Sequence, residues 1–332
     1  MIDLLQFLKI GYKIWAMKIQ VLAYYSIVKV ENPLEEVARH KEFFKNRDFR
    51  GRIYISEQGI NGQASGLSEH AEEYKVWMKE NPTFKEMPFK VHGADEHAFA
   101  KMTVKYRKEL VATGCPVDFS EVGQHVSPKV WKKMLDERDE DTVILDVRND
   151  YEWKVGHFEG SELPKLSTFR QFPEYAKKLK NERAPKKVMM YCTGGIRCEF
   201  FSAILKKEGI DEIYQLDGGV INYGEKEKGD GWKGKLFVFD DRLVIPVGEE
   251  KAPISHCKYC QTPKDTYFNC ANMDCNELFI CCHDCITSHK GCCSSDCEEH
   301  GRVRAFKDDG KPFRKWDHKE KLAWKNGPHI QD

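Results

Sequence analysis

The sequence lacks any apolar run long enough to cross a membrane. Residues 1–15 are rich in leucine and isoleucine, but Asp3, Lys9 and Lys13 interrupt them, and a transmembrane helix needs about 20 predominantly apolar residues. The basic start, unbroken apolar stretch and small-residue cleavage site of a signal peptide are missing as well. We therefore expect a cytoplasmic protein that does not contact the membrane, in which residues 1–16 form an extension before the folded part.

An excess of charge of one sign is also lacking. The chain has 53 Lys and Arg against 53 Asp and Glu, so its formal net charge is zero. A uniformly basic nucleic-acid-binding protein is therefore excluded, whereas local basic patches remain open. No glycine-rich motif typical of flavin or nicotinamide binding is present, and the 12 histidines do not suggest an iron site of two His and one carboxylate. The 332 residues are enough for two or three domains.

Cysteine is scarce over most of the chain and dense in one segment. Only Cys115, Cys192 and Cys198 precede Cys257, and the other ten of the 13 cysteines lie between Cys257 and Cys297. A secreted protein held by disulfides is usually short and spreads its cysteines over the whole chain. The uneven distribution instead favours metal ligation in a reducing compartment.

The dense segment contains closely spaced cysteine pairs, which are typical halves of tetrahedral zinc sites. The eight predicted ligands are Cys257 and Cys260, Cys270 and Cys275, Cys282 and Cys285, and Cys293 and Cys297. Two sites of four thiolates would use all eight and leave Cys281 and Cys292 over. One zinc site with spare thiols, or cysteines that are merely reduced or disulfide-bonded, are the alternatives. Four thiolates leave no open coordination position, so the expected role of zinc is structural.

The first third of the chain has the pattern of a small α/β domain. Residues 19–28 and 52–55 are β-branched and aromatic, as in strands, and apolar spacing predicts one helix from Pro33 and another over 70–79. We interpret residues 57–66 as a turn-rich stretch and residues 89–91 as a short strand. Two strand–helix–strand units of this size indicate a ferredoxin-like α+β domain.

From Thr142 onward, predicted strands and helices alternate. Strands are expected at 143–146, 188–191 and 213–216, and helices at 173–179 and 199–207. This alternation is typical of a mostly parallel sheet with both faces covered by helices. An additional helix is predicted before them, with Ser127 as its N-cap and Pro128 in its first position.

A cysteine stands at the end of one of these apolar strands, and two glycines and a helix follow it. The loop is Cys192, Thr193, Gly194, Gly195, Ile196 and Arg197. Glycines let successive backbone N–H groups turn inward and hold an anion at the start of a helix. The dipoles of these N–H groups, together with the charge of Arg197, would lower the pKa of Cys192 and favour the thiolate. The alternative is a buried structural cysteine beside a tight turn.

Three separated segments of the sequence resemble the rhodanese superfamily. They are residues 145–161, which contain Asp146, Arg148 and His157; the Cys192 loop; and residues 216–220, which read Leu-Asp-Gly-Gly-Val. The resemblance implies that Asp146, Arg148 and His157 support the loop and that the third segment closes the fold. The loop from Cys192 to Arg197 contains six residues, as in rhodaneses, whereas the loop of related phosphatases contains seven. Cys198 is interpreted either as a second, resolving thiol or as the first buried residue of the helix.

Residues 52–62, 191–199 and 235–242 resemble the rhodanese-domain tRNA uridine hydroxylases. That resemblance implies oxygen-dependent hydroxylation of the wobble uridine, position 34 of tRNA, to 5-hydroxyuridine, with Cys192 and Arg197 catalytic and molecular oxygen as co-substrate. The predicted division of the chain is an extension (1–16), a ferredoxin-like domain (17–112), a linker helix (113–138), a rhodanese domain (139–232), a zinc-binding region rich in cysteine (233–300) and a basic, aromatic tail (301–332).

Basic residues interleaved with aromatics suit RNA, because phosphates meet the charges and unpaired bases stack on the rings. The candidate RNA contacts are Lys101, Lys105, Arg107, Arg302, Arg304, Arg314 and Trp316. The alternative for the tail is a solvated segment that its aromatics anchor to the body. The resemblance to the tRNA uridine hydroxylases implies tRNA as the partner, and no stable protein partner can be inferred from the sequence.

Two other functions compete with hydroxylation. A sulfurtransferase would carry a persulfide on Cys192 to a thiol or tRNA acceptor. A non-enzymatic adaptor would keep the rhodanese fold only for binding RNA or protein, although the intact cysteine in a glycine loop argues against this alternative.

Overall fold

The computed structural model describes residues 18–306. Along this range the chain forms an N-terminal five-stranded sheet, a central four-stranded sheet and a C-terminal module rich in cysteine. None of the helices between residues 18 and 306 combines the length and apolar character that a membrane span requires.

The N-terminal domain has the predicted ferredoxin-like arrangement. Its elements are β1 (Ile19–Ile27), α1 (Pro33–Phe44), β2 (Phe49–Ser56), β3 (Gly59–Leu67), α2 (Ser68–Lys79), β4 (Lys90–Ala94) and β5 (Met102–Tyr106). The strand order is β4-β1-β3-β2-β5. The β-α-β-β-α-β succession confirms the prediction, and β5 is an additional edge strand that runs parallel to β2. Both helices pack on one face of the sheet, against Leu22, Ile53 and Ile55.

The interpretation of residues 57–66 as turn-rich is wrong, because most of them belong to strand β3 at the centre of the sheet. Its glycines make room for aromatic rings and do not interrupt the strand. A Cβ atom on Gly62 would lie 2.2 Å from the ring of Tyr24, and one on Gly66 would lie 2.8 Å from the ring of Phe49. The glycines that suggested a turn are therefore required by packing.

The other face of this sheet is not covered by α1 or α2, and we call it the open face. Residues opposite one another in a sheet point to the same side, so the strand register defines two rows of side chains on it. The first row is Lys90, Ala23, Gln63, Arg52 and Thr103, and the second is Tyr25, Asn61, Tyr54 and Lys105.

The central domain has the parallel sheet that the alternation of strands and helices predicts. Its elements are β6 (Gln124–Val126), α3 (Pro128–Asp136), β7 (Thr142–Asp146), α4 (Asp150–Trp153), β8 (Gly156–Phe158), α5 (Phe172–Glu182), β9 (Lys187–Tyr191), α6 (Ile196–Lys207), β10 (Glu212–Leu216), α7 (Gly219–Glu227) and β11 (Trp232–Gly234). The order β6-β10-β9-β7 is parallel throughout. Helices α5 and α6 cover one face of the sheet, and α3 and α7 cover the other.

Part of the predicted linker segment, 113–138, packs in the central domain. Strand β6 pairs with β10 at the edge of the sheet, and the side chain of Trp131 in α3 is fully buried. The hydroxyl of Ser127 accepts a hydrogen bond from the backbone N–H of Val130, which confirms the predicted N-cap. These contacts hold α3 on the sheet face opposite to α5 and α6.

The C-terminal module has short elements around a core of cysteine. They are β12 (Leu236–Phe237), β13 (Val244–Ile245), β14 (Tyr267–Asn269), β15 (Leu278–Ile280), α8 (His283–Ser288) and α9 (Ser295–Glu299). Phe237 and Tyr267 share a small buried cluster with Val155 of the central domain. The Tyr267 hydroxyl also donates a hydrogen bond to the carbonyl of Tyr151, so the module is fastened beside α4.

Candidate active site and metal centres

The Cys192 loop joins the end of β9 to the start of α6. Gly195 has a φ of 107°, a conformation that residues with a Cβ atom rarely adopt. It turns its N–H toward Cys192, and the distance from this nitrogen to the Cys192 Sγ is 3.0 Å. The loop therefore directs backbone dipoles at the sulfur, as the sequence predicts.

The surroundings of Cys192 favour the thiolate. Burial of the side chain would by itself raise its pKa. A hydrogen bond from the Cys198 thiol, the charge of Arg197 and the N–H groups of Gly195 and Arg197 outweigh burial and lower the pKa of Cys192 to about 5. A thiol with this pKa is almost fully ionised at neutral pH, so the Cys192 side chain is present mainly as the thiolate.

Cys198 is a neutral thiol that serves the thiolate as a donor. Its side chain is fully buried, and burial, together with the hydrogen bond to Cys192, raises its pKa well above the usual value. Thus Cys198 is a buried residue of α6 that contacts Cys192 directly. A resolving role in a disulfide stays a prediction.

Arg197 is held by a carboxylate that we did not single out from the sequence. Its guanidinium forms two hydrogen bonds with Glu152, one of them 2.8 Å long, and lies 3.4 Å from the Thr193 hydroxyl. Glu152 is completely buried and is also part of the capping box that starts α4. A glutamate at the third position of a short helix was the available signal, but it could not indicate the partner.

Replacing Arg197 by methionine is expected to raise the pKa of Cys192 from about 5 toward that of a free thiol, about 8.5. The cation that stabilises the thiolate would be lost, while the apolar stem of the side chain would be preserved. The rate of alkylation by iodoacetamide, followed against pH, reports the midpoint. An unchanged midpoint would mean that Arg197 does not influence the ionisation of Cys192.

Asp146 and Arg148 pair with each other in the protein interior, and their expected support of the Cys192 loop stays a prediction. Both side chains are fully buried, and two hydrogen bonds of 2.8 and 2.6 Å join them. Arg148 also donates to the carbonyl of Gly156 at 2.6 Å. The ring nitrogen Nδ1 of His157 donates to the carbonyl of Trp153 at 3.0 Å. These contacts connect β7 to β8 and do not reach Cys192.

The segment after β10 presses directly on the loop. The backbone N–H groups of Val220 and Ile221 donate to the carbonyls of Cys192 and Thr193. A Cβ atom on Gly219 would lie 2.5 Å from the Cys192 carbonyl oxygen, so only glycine allows this approach. The Asp-Gly-Gly segment therefore fixes the carbonyl side of the same loop whose N–H side faces the sulfur.

The N-terminal domain supplies the other half of the site. The Lys90 ammonium donates to the carbonyl of Gly194, and the Tyr25 hydroxyl donates to Glu199 of α6 at 3.0 Å. Sequence reasoning missed both residues, because 100 or more positions separate each of them from its partner.

Between the two domains lies a cavity of about 440 Å³ that Cys192 lines. Its charged lining residues are Arg52, Lys90 and Arg197, and no Asp or Glu among the described residues lines it. Tyr25, Tyr54, Asn61 and Gln63 from the open face contribute rings and amides. The cavity therefore combines a thiolate with cations, aromatic rings and hydrogen-bonding amides.

The eight predicted metal ligands meet in two groups of four. Cys257, Cys260, Cys282 and Cys285 form one group, and Cys270, Cys275, Cys293 and Cys297 form the other, with all sulfur atoms of a group within 4.8 Å of one another. Tetrahedral Zn–S bonds of about 2.3 Å place sulfur atoms about 3.8 Å apart. The separations of 3.6 Å for Cys260–Cys282 and 3.7 Å for Cys293–Cys297 fit that geometry. Each group can hold a metal ion.

The candidate RNA contacts lie in different places. Lys101, Lys105 and Arg107 are exposed at and beside β5, and the Arg107 guanidinium lies 4.9 Å from the centre of the Tyr54 ring. Arg302 is paired with Asp274, and Arg304 donates to the carbonyls of Asn269 and Cys270, so both fasten the end of the described chain to the cysteine module. Arg314 and Trp316 lie outside the described residues.

Three family models match successive parts of the chain. Their descriptions are "UPF0176 acylphosphatase like domain" for residues 19–110, "Rhodanese-like domain" for 127–226 and "Rhodanase C-terminal" for 233–298. Among solved structures, a rhodanese-like domain from Anabaena sp. covers 33% of this chain and 78% of its own, at 20% identity and a TM-score of 0.27.

Similarity to named proteins extends over nearly the whole chain. The tRNA uridine(34) hydroxylase of Protochlamydia amoebophila is 54% identical over 303 residues, which are 90% of this chain and 94% of the relative. That of Chlamydia pneumoniae is 55% identical over 305 residues, with the same coverage. Identity at this level over all three parts of the fold shows the family: the chain belongs to the tRNA uridine(34) hydroxylases.

Proposed function

We propose that this protein hydroxylates uridine 34 of tRNA to 5-hydroxyuridine, with molecular oxygen as co-substrate. The observation that carries the proposal is the Cys192 thiolate in a cation-lined cavity between two domains. Two relatives that are named for this activity match this chain over 94% of their own length. Since tRNA is the substrate, we also propose a cytoplasmic location.

The cavity has the size and lining that an extruded nucleotide needs. A volume of about 440 Å³ lies in the usual range for small-molecule pockets, and enzymes that modify a base must take it out of the stack. Asn61 and Gln63 present amides that can pair with the N3–H and O4 of uracil. Arg52 and Lys90 offer charge for the adjoining phosphates.

Cys192 is proposed as the nucleophile of the reaction. The C6 carbon of uracil is its electrophilic position, because it is conjugated with the C4 carbonyl. Attack by the thiolate at C6 would increase the electron density at C5, which would take one oxygen atom from molecular oxygen and lose its proton as the C6–S bond breaks. The second oxygen atom would leave as water, with the two electrons supplied by an external thiol reductant. Arg197 would keep Cys192 ionised, and Glu152 would hold Arg197 in place.

The two groups of four cysteines are proposed to bind one structural zinc ion each. Four thiolates saturate the tetrahedral ion, so zinc would stabilise the fold and leave no coordination position for substrate.

The test is mass spectrometry of nucleosides from an unmodified tRNA transcript incubated with the pure protein and a thiol reductant in air. We expect a gain of one oxygen on uridine 34, and no gain under argon or with Cys192→Ala. Cys115→Ala serves as the matched control, because Cys115 is a free thiol of the described chain that does not line the cavity. A wild-type protein that leaves the uridine unchanged in air would refute the proposed function.

A further inference from the structure

The open face of the N-terminal sheet continues beyond the cavity. Tyr25 and Asn61 lie next to Tyr54 and Lys105 in the same row across four neighbouring strands. Tyr25, Asn61 and Tyr54 line the cavity, whereas Lys105 is exposed outside it. This row therefore connects the cavity beside Cys192 to the protein surface at Lys105.

The side chains along this path are suited to nucleic acid. Arg107 stacks over Tyr54, Lys105 is the register partner of Tyr54, and Lys101 directly precedes β5. None of Arg52, Lys101, Lys105 and Arg107 forms an ion pair of 4.0 Å or less with a carboxylate between residues 18 and 306. Cations that are not paired with a carboxylate remain available to phosphates.

We infer that the open face binds the single-stranded nucleotides that adjoin the target uridine, with Tyr54 stacking a base and Lys105 and Arg107 contacting phosphates. This inference rests on the proposed function. Sheet surfaces that carry aromatic and basic side chains bind single-stranded RNA in this way. The N-terminal domain is then the part that positions the anticodon loop, while the central domain carries the chemistry.

The experiment measures the affinity of the full-length protein for an anticodon stem-loop transcript with uridine at position 34, over a series of salt concentrations. The double variant Lys105→Ala, Arg107→Ala should flatten the dependence of log affinity on log salt by about two, since each phosphate contact contributes about one. The matched control is Lys129→Ala. Lys129 is exposed on α3, on the sheet face opposite to α5 and α6, and its variant should keep the wild-type slope.

A second pair of variants separates stacking from charge. Tyr54→Leu should weaken binding of the stem-loop by about 5- to 150-fold, the range for one base stacked on an aromatic ring. Tyr54→Phe should bind as the wild type does, because the ring remains. Tyr54→Leu should leave binding of a fully double-stranded RNA unchanged, since paired bases cannot reach the ring.

The outcomes distinguish this inference from the proposed function. If the wild type hydroxylates uridine 34 while all open-face variants keep its affinity, salt slope and KM, the inference is wrong and the proposed function stands. Equal weakening of single- and double-stranded RNA by Tyr54→Leu would also refute it, because stacking would not be the cause. If the wild type neither binds nor modifies the transcript, both proposals fail.

Discussion

Replacing Cys192 by serine is expected to reduce hydroxylation of uridine 34 by roughly 10³-fold or more, the scale seen when a nucleophile is removed. The loop ionises a thiol whose pKa is about 5, but the same hydrogen bonds cannot ionise a serine hydroxyl at neutral pH. Stem-loop affinity should stay close to that of the wild type, since serine has nearly the same shape. Initial rates of 5-hydroxyuridine formation, with binding measured separately, give the result.

Cys198→Ala is the informative control for this prediction. It removes the thiol that donates to Cys192 but leaves the nucleophile, so we expect a much smaller loss of rate and a higher pKa of Cys192. A loss as large as that of Cys192→Ser would show that Cys198 takes part as a second reacting thiol. Persulfide on Cys192 without any oxygen gain on the nucleoside would contradict hydroxylation and indicate sulfur transfer.

The pH dependence of the hydroxylation rate follows from the lowered pKa of Cys192. The pKa of Cys192 is lowered, so the thiolate is present above about pH 5 and is lost as the pH falls through that value. Any part of the rate that needs the thiolate should therefore be constant from neutral pH down to about pH 6 and decline below it. In Arg197→Met the decline should begin at a higher pH.

Replacing Cys293 by alanine is expected to lower the metal content from two ions per chain to one and to destabilise the cysteine module. Cys293 belongs to one of the two four-thiolate groups, and binding of a structural zinc contributes about 10–16 kcal/mol in small zinc domains. The core of this module consists largely of the cysteines themselves, so little apolar packing would replace the ion. Metal analysis and thermal unfolding measure both effects.

The neighbouring residue provides a closely matched control. Cys292 is buried like Cys293 but belongs to neither group, so Cys292→Ala should keep two ions and most of the stability. Equal metal content in the two variants would contradict the assignment of ligands. Because Tyr267 joins the module to Tyr151 beside Glu152, Cys293→Ala should also lower the hydroxylation rate, while Cys292→Ala should not.

Local sequence patterns were sufficient for the features that depend on neighbouring residues. The N-cap at Ser127, the alternation that gives a parallel sheet and the glycine loop around Cys192 each arise within a few positions, where backbone geometry and hydrogen bonding act directly. Cysteine spacing indicated eight metal ligands for the same reason. The glycines of β3 led to the wrong prediction of a turn, because they leave space for the rings of Tyr24 and Phe49 from other strands.

The sequence by itself predicted Cys192 as the reactive thiol, the loop that lowers its pKa and the cysteines that can hold metal. Only the tertiary structure decided what surrounds the nucleophile: Glu152 holding Arg197, Lys90 and Tyr25 contacting the loop, and a sheet face of tyrosines and cations leading away from the cavity. The physical reason is distance along the chain. Contacts within one turn or loop follow local backbone geometry, whereas the contact between Tyr25 and Glu199 spans 174 positions and exists only once two separate cores have packed together.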